Sequence, residues 1–484
     1  MSVKRLFVLL FIVSLFGMSI RETLDPDLWW HLKTGDYILQ NGIPHQDIFS
    51  FTVPNHVWIT HEWLSEVLMW LIYSAAGLPG LMVGFALLIT LTYWILYLSC
   101  AGRPYLAGFV VVLSAITSAI VWGARPQIFN LLLTALFVWI VAQYKKNPER
   151  KRLLWWLVPL TAVWANLHSG YLLGVVLLAC YVGGAVLDRW FKSERAEPLA
   201  WTDIRYLGIV TFLSFLAAVL NPNGAELWIY PFFTLGSRAM QAYIQEWHSP
   251  NFHLGIFWPF VVMLTLGPLS WILDEKRPSL TDGLLFFGTG AAGLLSARHI
   301  PLFAIVAAPI ICKYFWFSLE NSSLGQKLSV PNPKPTQLIS FANIIILLVA
   351  VVGVIGWSAQ KISDNEAAIT SWYPVAAVDF LEDEGLANAR IYNSYNWGGY
   401  LIWRDIPVFV DGRADVYGDP FLFEYREAFD ASLTWEEPLD NYNVDYVIME
   451  RGSPLNTLLE LHPNWESVYL DDIAQIYSRK EASS

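Results

Sequence analysis

Cysteine is nearly missing from this sequence: its 484 residues contain three, Cys100, Cys180 and Cys312. They stand far apart, inside or at the ends of apolar runs. That placement excludes a disulfide framework and a cysteine-ligated zinc site, and the three read as small hydrophobes. Charge is scarce too, at 15% of residues. No internal repeat is visible and few charges fall inside the long apolar runs, which argues against a transporter built from paired halves. What is plentiful is apolar surface: 55% of residues are hydrophobic, 15% aromatic, and mean hydropathy is +0.43. A polytopic membrane protein is the class that fits.

The net charge of −11 is unevenly spread. From Gln360 to Ser484 there are 23 Asp and Glu against 8 Lys and Arg; the rest of the chain holds 18 against 22. A near-neutral membrane body, residues 1–358, therefore carries a strongly acidic domain, residues 359–484. Such a domain gains nothing from nucleic acid, which is excluded as a partner. A helix crossing about 30 Å of hydrocarbon needs roughly 20 apolar residues. About eleven spans are expected: Val3–Ile20, Gly80–Ser99, Tyr105–Trp122, Ile128–Tyr144, Leu153–Ala165, Tyr171–Leu187, Tyr206–Leu220, Leu254–Leu273, Gly283–Leu295, Pro301–Phe317 and Phe341–Trp357. The stretch Trp63–Ala76 is too short to cross easily, and counting it would put Lys145–Arg152 outside. Treated as a helix lying in the interface, it leaves Lys4, Arg5, Arg103, Lys145–Arg152, Arg189–Arg205, Lys276, Arg277 and Lys313–Lys334 in the cytoplasm, as positive residues prefer. The N-terminus is then cytoplasmic and the acidic domain extracytoplasmic. Lys4–Arg5 followed by a short apolar run and Gly17–Ser19 also fits a cleaved signal peptide, with the next segment outside in either case.

On this topology the ionisable residues that are not cytoplasmic cations gather on one side. The first external loop, residues 21–79, opens with "DPDLWWHLKTGDYIL" (Asp25, Asp27, His31) and reaches "THEW" (His61, Glu62). Outer turns supply Arg125, Asn166 and His168, Glu246 and His248, and Arg298 and His299. Charges at membrane depth cost about 2.5–3.5 kcal/mol each and mark water-filled or ligand-lined sites, so an outward-facing polar cavity is expected. Plainer readings exist for each residue. The tryptophans could form an interfacial belt. Asp25 could cap a helix whose first position is Pro26, with Asp27 complementing its dipole, and Thr60 could cap the interfacial helix. Arg125 and Arg298 could end helices or meet lipid headgroups, and His168 could be a hydrogen-bonded core histidine. In such a cavity a carboxylate could deprotonate an incoming hydroxyl while arginines grip a phosphate bidentately.

The loop-one stretch, with "HEWLSEVLMWLIY" after it, resembles the GT-C superfamily of integral membrane glycosyltransferases. More closely it resembles a bacterial branch in which "DPDLWWHL" accompanies a C-terminal "YNWGGYLIW…VFVDGRADVYG". The resemblance implies a sugar transferred from a polyprenyl-phosphate donor to an extracytoplasmic glycan, lipid or protein acceptor, in a bacterial-type cytoplasmic membrane. Asp27, or else Asp25, would be the catalytic aspartate, supported by His31, His61 and Glu62. Arg125, His168, Arg298 and His299 would bind the donor phosphate. Glu246, His248, Asn396, Asp411 and Arg413 would contact the acceptor or the loops. The second acid that many members carry in a later loop is replaced by Arg125, so a divalent metal is compatible but not required. A lipid-linked glycan polymerase or ligase using Arg125, Arg298 and His299, and a non-catalytic scaffold, are the competing classes.

The acidic domain should be α/β, with an amphipathic helix over Pro374–Gly385 and strands at "ARIYNS", "IPVFVDG", "DYVIME" and "AQIYSR". "YNWGGY" is similar to the aromatic motif that opens the soluble domain of oligosaccharyltransferase catalytic subunits but lacks its acidic residue, so peptide-acceptor specificity does not carry over. Tight turns would account for Gly398 and Gly399 equally well, and Arg413 between Asp411 and Asp415 for a surface ion-pair cluster.

Overall fold

The computed structural model describes residues 1–195, 198–274, 276–320, 322–323, 325–326 and 335–480. Lys327 and Lys334 of the last basic segment lie outside the described residues. The chain is mostly helical with one small sheet near its C-terminus. Among the described residues six helices are long and apolar enough to cross a membrane: Trp63–Ser99, Ile128–Lys146, Tyr171–Phe191, Gly255–Ile272, Ala297–Leu319 and Gln337–Trp372. Two shorter apolar helices, Tyr105–Val121 and Leu280–Leu295, accompany them. The other three expected spans are helical but shorter, at Val3–Ser19, Leu157–Leu167 and Trp201–Ala217. Among the described residues, length and composition alone thus mark six of the eleven expected spans as long enough to cross.

Trp63–Ser99 holds two helices that meet at a break. Gly77 has φ 62° and ψ −161°, a left-handed φ that glycine adopts without steric cost, and Pro79 cannot donate back to the preceding turn. The change from Trp63–Ala76 to the span starting at Gly80 therefore falls at a bend in the backbone. At the far end of the body the basic turns are partly neutralised: Arg195 pairs with Asp274, Lys151 with Asp203 and Lys313 with Asp282.

The last span does not stop at Trp357. It runs unbroken to Trp372, and only 6% of its most apolar window is buried. The expected domain boundary at residue 358 therefore lies within a continuous helix. Trp357 Nε1 donates to Gly17 O (3.1 Å), Lys361 pairs with Glu22 (2.6 Å) and Asn365 exchanges hydrogen bonds with Thr23, lacing this helix to the first one and to the start of loop one.

The soluble domain holds a four-stranded sheet in the order β1 (Ile391–Asn393), β2 (Tyr446–Glu450), β4 (Ala474–Arg479), β3 (Trp465–Leu470). β1 and β2 are parallel and the other pairs antiparallel. The amphipathic helix appears at Val375–Asp383, and Gly385 (φ +70°) lies just beyond it. β1, β2 and β4 match expectation. "IPVFVDG" is not a strand: it is extended, but its backbone bonds run to loop one, Phe51 N to Val408 O (3.2 Å) and Val408 N to Phe49 O (3.2 Å). Instead β3, with mostly exposed side chains, completes the sheet.

Loop one and this domain share one core, in which Trp29, Trp30, Val53 and Trp58 pack with Tyr373, Tyr400, Phe409 and Val410. At its centre Arg413, 2% exposed, meets Asp47 at 2.8 Å and Asp411 bidentately, with its Cζ 5.0 Å from the Phe49 ring centroid and 4.6 Å from that of Trp58. This corrects the surface ion-pair reading: Arg413 and Asp411 are interior residues that join two parts of the fold. Removing one partner of a buried ionic network strands the rest, so Arg413→Met should cost about 3–5 kcal/mol, read as a lowered Tm of the detergent-purified chain. An unchanged Tm would contradict the joint. A second test uses Gly412, where a Cβ would fall 1.8 Å from Asp27 Oδ1. Gly412→Ala should cost about 1–3 kcal/mol, while Gly183→Ala, whose Cβ meets nothing within 4 Å, should leave the melt unchanged.

Candidate functional site

Helix Leu28–Asn41 starts two residues later than Pro26 at its first position would require. Asp25 makes a local turn instead: its Oδ1 accepts from Asp27 N (3.0 Å) and its carbonyl from Leu28 N (3.2 Å). Asp27 stands at the helix N-cap position but forms no side-chain cap bond; its Oδ1 accepts from Trp30 Nε1 at 3.0 Å. Thr60 does not cap the next helix either, because its hydroxyl donates to Pro44 O (2.5 Å).

Arg125, in the turn before helix Ile128–Lys146, reaches across to these acids. Its Nε lies 3.1 Å from Asp25 Oδ2, its Nη2 3.5 Å from Asp27 Oδ2 and its Nη1 2.8 Å from Glu246 Oε1. Burial and the Asp25 charge push Asp27 up to about 7, against Arg125 and the Trp30 hydrogen bond. Burial raises Asp25 as well, opposed by Arg125. For Glu246 burial is outweighed by Arg125 and Arg298, leaving it below the usual carboxylate range. The Asp27 side chain remains about a quarter exposed, at 24%, so a reacting group can reach it.

A second cluster lies one helical turn along, beyond Trp30, whose ring centroid is 3.6 Å from that of His31. Glu62 receives three imidazoles: His168 Nε2 at 3.0 Å and His61 Nε2 at 3.3 Å on Oε1, and His31 Nε2 at 3.7 Å on Oε2. His31 Nδ1 also lies 3.3 Å from Glu66 Oε1. Burial lowers His31 to about 3 and His168 to about 4, so both are neutral near pH 7. Burial lowers His61 too, but Glu62 and Asp415 reverse this and its net shift is upward. Burial raises Glu62, and the three histidines more than offset it. His168 Nδ1 faces Gly170 N (2.9 Å) and Asn130 Nδ2 (3.0 Å), so both of its ring nitrogens are engaged and neither is left for a phosphate.

Arg298 acts on Glu246 through its charge but does not pair with it directly. Its guanidinium lies 4.5 Å from the Trp247 ring centroid, and among the described residues it has no ion-pair or hydrogen-bond partner. Its turn is fastened to the Glu246 stretch by Ser296 Oγ donating to Glu246 O (3.0 Å) and Ala297 N to His248 O (3.0 Å). His299 sits beside it, half-buried. Of the remaining expected residues, His248 is exposed with its ring on Ala242 O, and Asn396 is exposed. Asp411 and Arg413 are held in the domain joint and present no open face to an acceptor.

Sequence reasoning did not place Glu66 or Tyr230 in the site, and met Asp415 only as a turn residue flanking Arg413. The Tyr230 hydroxyl donates to Asp415 Oδ2 (3.2 Å) while its ring packs on His61, with centroids 4.4 Å apart. Glu66 carried a legible signal, being four residues after Glu62 on the same helical face. Tyr230, within "ELWIYPFF", carried none. Gly398 and Gly399 are explained by contact rather than by turns. A Cβ on Gly399 would stand 2.4 Å from Pro26 O, and one on Gly398 2.2 Å from Val410 O. Gly399 thus lets the domain backbone rest on the loop-one motif, while Gly398 lets it pack against its own Val410 and Asp411.

No protein-family model and no curated protein matches the chain. Solved structures do. AglB, the archaeal oligosaccharyltransferase from Archaeoglobus fulgidus in complex with an inhibitory peptide and a dolichol-phosphate, aligns with a TM-score of 0.56 at 11% identity. That alignment covers 92% of this chain and 69% of that one. The apo form of the Archaeoglobus fulgidus enzyme gives 0.55 at 12% identity over the same shares. ArnT from Cupriavidus metallidurans, bound to undecaprenyl phosphate, gives 0.50 at 13% identity over 98% of this chain and 97% of that one. At these identities the likeness is one of fold alone: the chain shares the overall architecture of AglB and ArnT.

Proposed function

We propose that the chain is a membrane glycosyltransferase that moves a sugar from a polyprenyl-phosphate carrier to an acceptor hydroxyl on the extracytoplasmic face, with Asp27 as general base. The observation that carries this reading is a part-exposed, strongly perturbed Asp27 carboxylate beside the Arg125 guanidinium. A carboxylate perturbed by burial and a specific charge partner is a functional-site candidate, and guanidinium groups suit a phosphate. Fold alone does not give activity. Two proteins of this architecture were nevertheless solved with lipid phosphates, dolichol-phosphate for AglB and undecaprenyl phosphate for ArnT.

In the proposed step Asp27 takes the proton of the acceptor O–H as that oxygen bonds to the anomeric carbon. The bond from that carbon to the phosphate oxygen breaks, and its electron pair leaves with the polyprenyl phosphate. Arg298 and the remaining N–H groups of Arg125 meet the growing negative charge. Trp30 and Arg125 fix the rotamer of Asp27, and burial keeps its basicity near neutrality, where a general base is most effective.

Asp27→Asn should lower kcat for transfer from a polyprenyl-phosphate sugar by about 10²–10⁴ in a variant that melts like the parent. In the parent, kcat/KM should rise with pH up to about 7 and then level, because the active form is the ionised carboxylate; the variant should lack this limb. Transfer surviving at the parental rate in Asp27→Asn would refute the assignment and favour a lipid-linked glycan polymerase or ligase working through Arg125, Arg298 and His299.

A further inference from the structure

The His31, Glu62 and Glu66 cluster is short of one positive group. All three residues are buried, at 3%, 9% and 1% exposure. A neutral imidazole carries a single N–H, yet His31 faces a carboxylate at each nitrogen, Glu66 Oε1 at 3.3 Å and Glu62 Oε2 at 3.7 Å. With both carboxylates ionised, a ring carrying one N–H leaves one of these oxygens opposite a bare lone pair. The second Glu66 oxygen, Oε2, is buried with no hydrogen-bond partner at all. Orphaned acceptors of this kind are costly and call for an explanation. Nearby arginines cannot supply it, since Arg125 and Arg413 are each committed to other carboxylates.

The arrangement matches what a metal ion needs. One ligand atom from each residue lies within 4.8 Å of the others. Ligands about 2.0–2.2 Å from a tetrahedral ion stand about 3.3–3.6 Å apart; because Glu66 and Glu62 face opposite nitrogens of His31, the side chains must close in on one of those nitrogens as the ion enters. His61 and His168 hold Oε1 of Glu62 and so aim Oε2 at His31, the orienting role that outer-shell hydrogen bonds play around metal ligands. Gly35, one turn after His31, brings the helices together: a Cβ there would sit 2.2 Å from the carbonyl oxygen of Glu66.

We infer that His31, Glu62 and Glu66 form a structural site for one divalent transition-metal cation of the zinc class, pinning helix Leu28–Asn41 to the helix that begins at Trp63. A dication would neutralise the two carboxylates, and the mixed nitrogen and oxygen donors suit zinc, cobalt or manganese better than calcium. The site is separate from Asp25, Asp27 and Glu246, and the inference does not rest on the transferase reading.

The test uses the full chain in detergent, stripped with chelator and titrated with Zn²⁺ and with Co²⁺. One ion per chain, a raised Tm and visible Co²⁺ ligand-field bands are expected, with X-ray absorption of the zinc form showing a single imidazole among oxygen ligands. Glu66→Gln, close to isosteric, should weaken binding at least tenfold, whereas Asp27→Asn should retain it. The inference fails if the parent binds no ion, since Glu66 then simply holds a proton. It also fails if Asp27→Asn abolishes binding while Glu66→Gln keeps it, or if the zinc spectrum lacks an imidazole. The spectrum of the parent decides the matter even where a variant does not fold.

Discussion

One guanidinium holds together what would otherwise fly apart. Asp25, Asp27 and Glu246 come from two different loops, and each lies within 3.5 Å of an Arg125 nitrogen. Unit charges about 4 Å apart interact by about 4 kcal/mol at an effective dielectric of about 20, so three acids gathered without that cation would separate and take their loops with them. The arrangement also sets chemistry: Arg125 gives Asp27 only its longest contact, and burial is left to raise its basicity.

The site has a roof as well as walls. Three glycines of the soluble domain, Gly398, Gly399 and Gly412, pass so near their neighbours that no side chain would fit, and Arg413 bolts the same domain to Asp47 of loop one. Tyr395, which donates to Gly412 O (3.1 Å), and Tyr230, which donates to Asp415, carry this contact down to both titratable clusters. Loop one is therefore held from two sides, by the helix bundle and by a domain more than 350 residues later in the chain.

Much of this was legible in the sequence. Apolar runs located the helices, and the break left between Trp63–Ala76 and the span starting at Gly80 is where the backbone bends, at Gly77. The one-sided placement of acids and histidines foretold that Asp25, Asp27, Arg125 and Glu246 would meet. What failed did so because a distant partner overrode a local pattern. "IPVFVDG" has strand composition, yet its backbone groups are taken by Phe49 and Phe51. β3 went unseen because "WESVYL" pairs at a sheet edge with most side chains in solvent. Arg413 between two aspartates read as surface because nothing nearby announces Asp47, Phe49 and Trp58. His31 follows Asp27 by one helical turn, which suggested that the two act together, but its ring turns to Glu62 and Glu66 on another helix.

The unbroken helix Gln337–Trp372 has a mechanical consequence. Thirty-six residues at 1.5 Å each give roughly 54 Å, against about 30 Å of hydrocarbon, so roughly 24 Å stands clear of the lipid tails. Its tip is rooted in the aromatic floor of the soluble domain, where Trp372 O accepts from Trp397 Nε1 (3.3 Å) and Tyr373 stacks on Tyr400 (5.3 Å between centroids). Because only 6% of its most apolar window is buried against the rest of the protein, a tilt imposed by a thicker or thinner bilayer would pass along a stiff rod into the roof over Asp27. Membrane thickness thereby becomes a variable on which the geometry of the carboxylates depends.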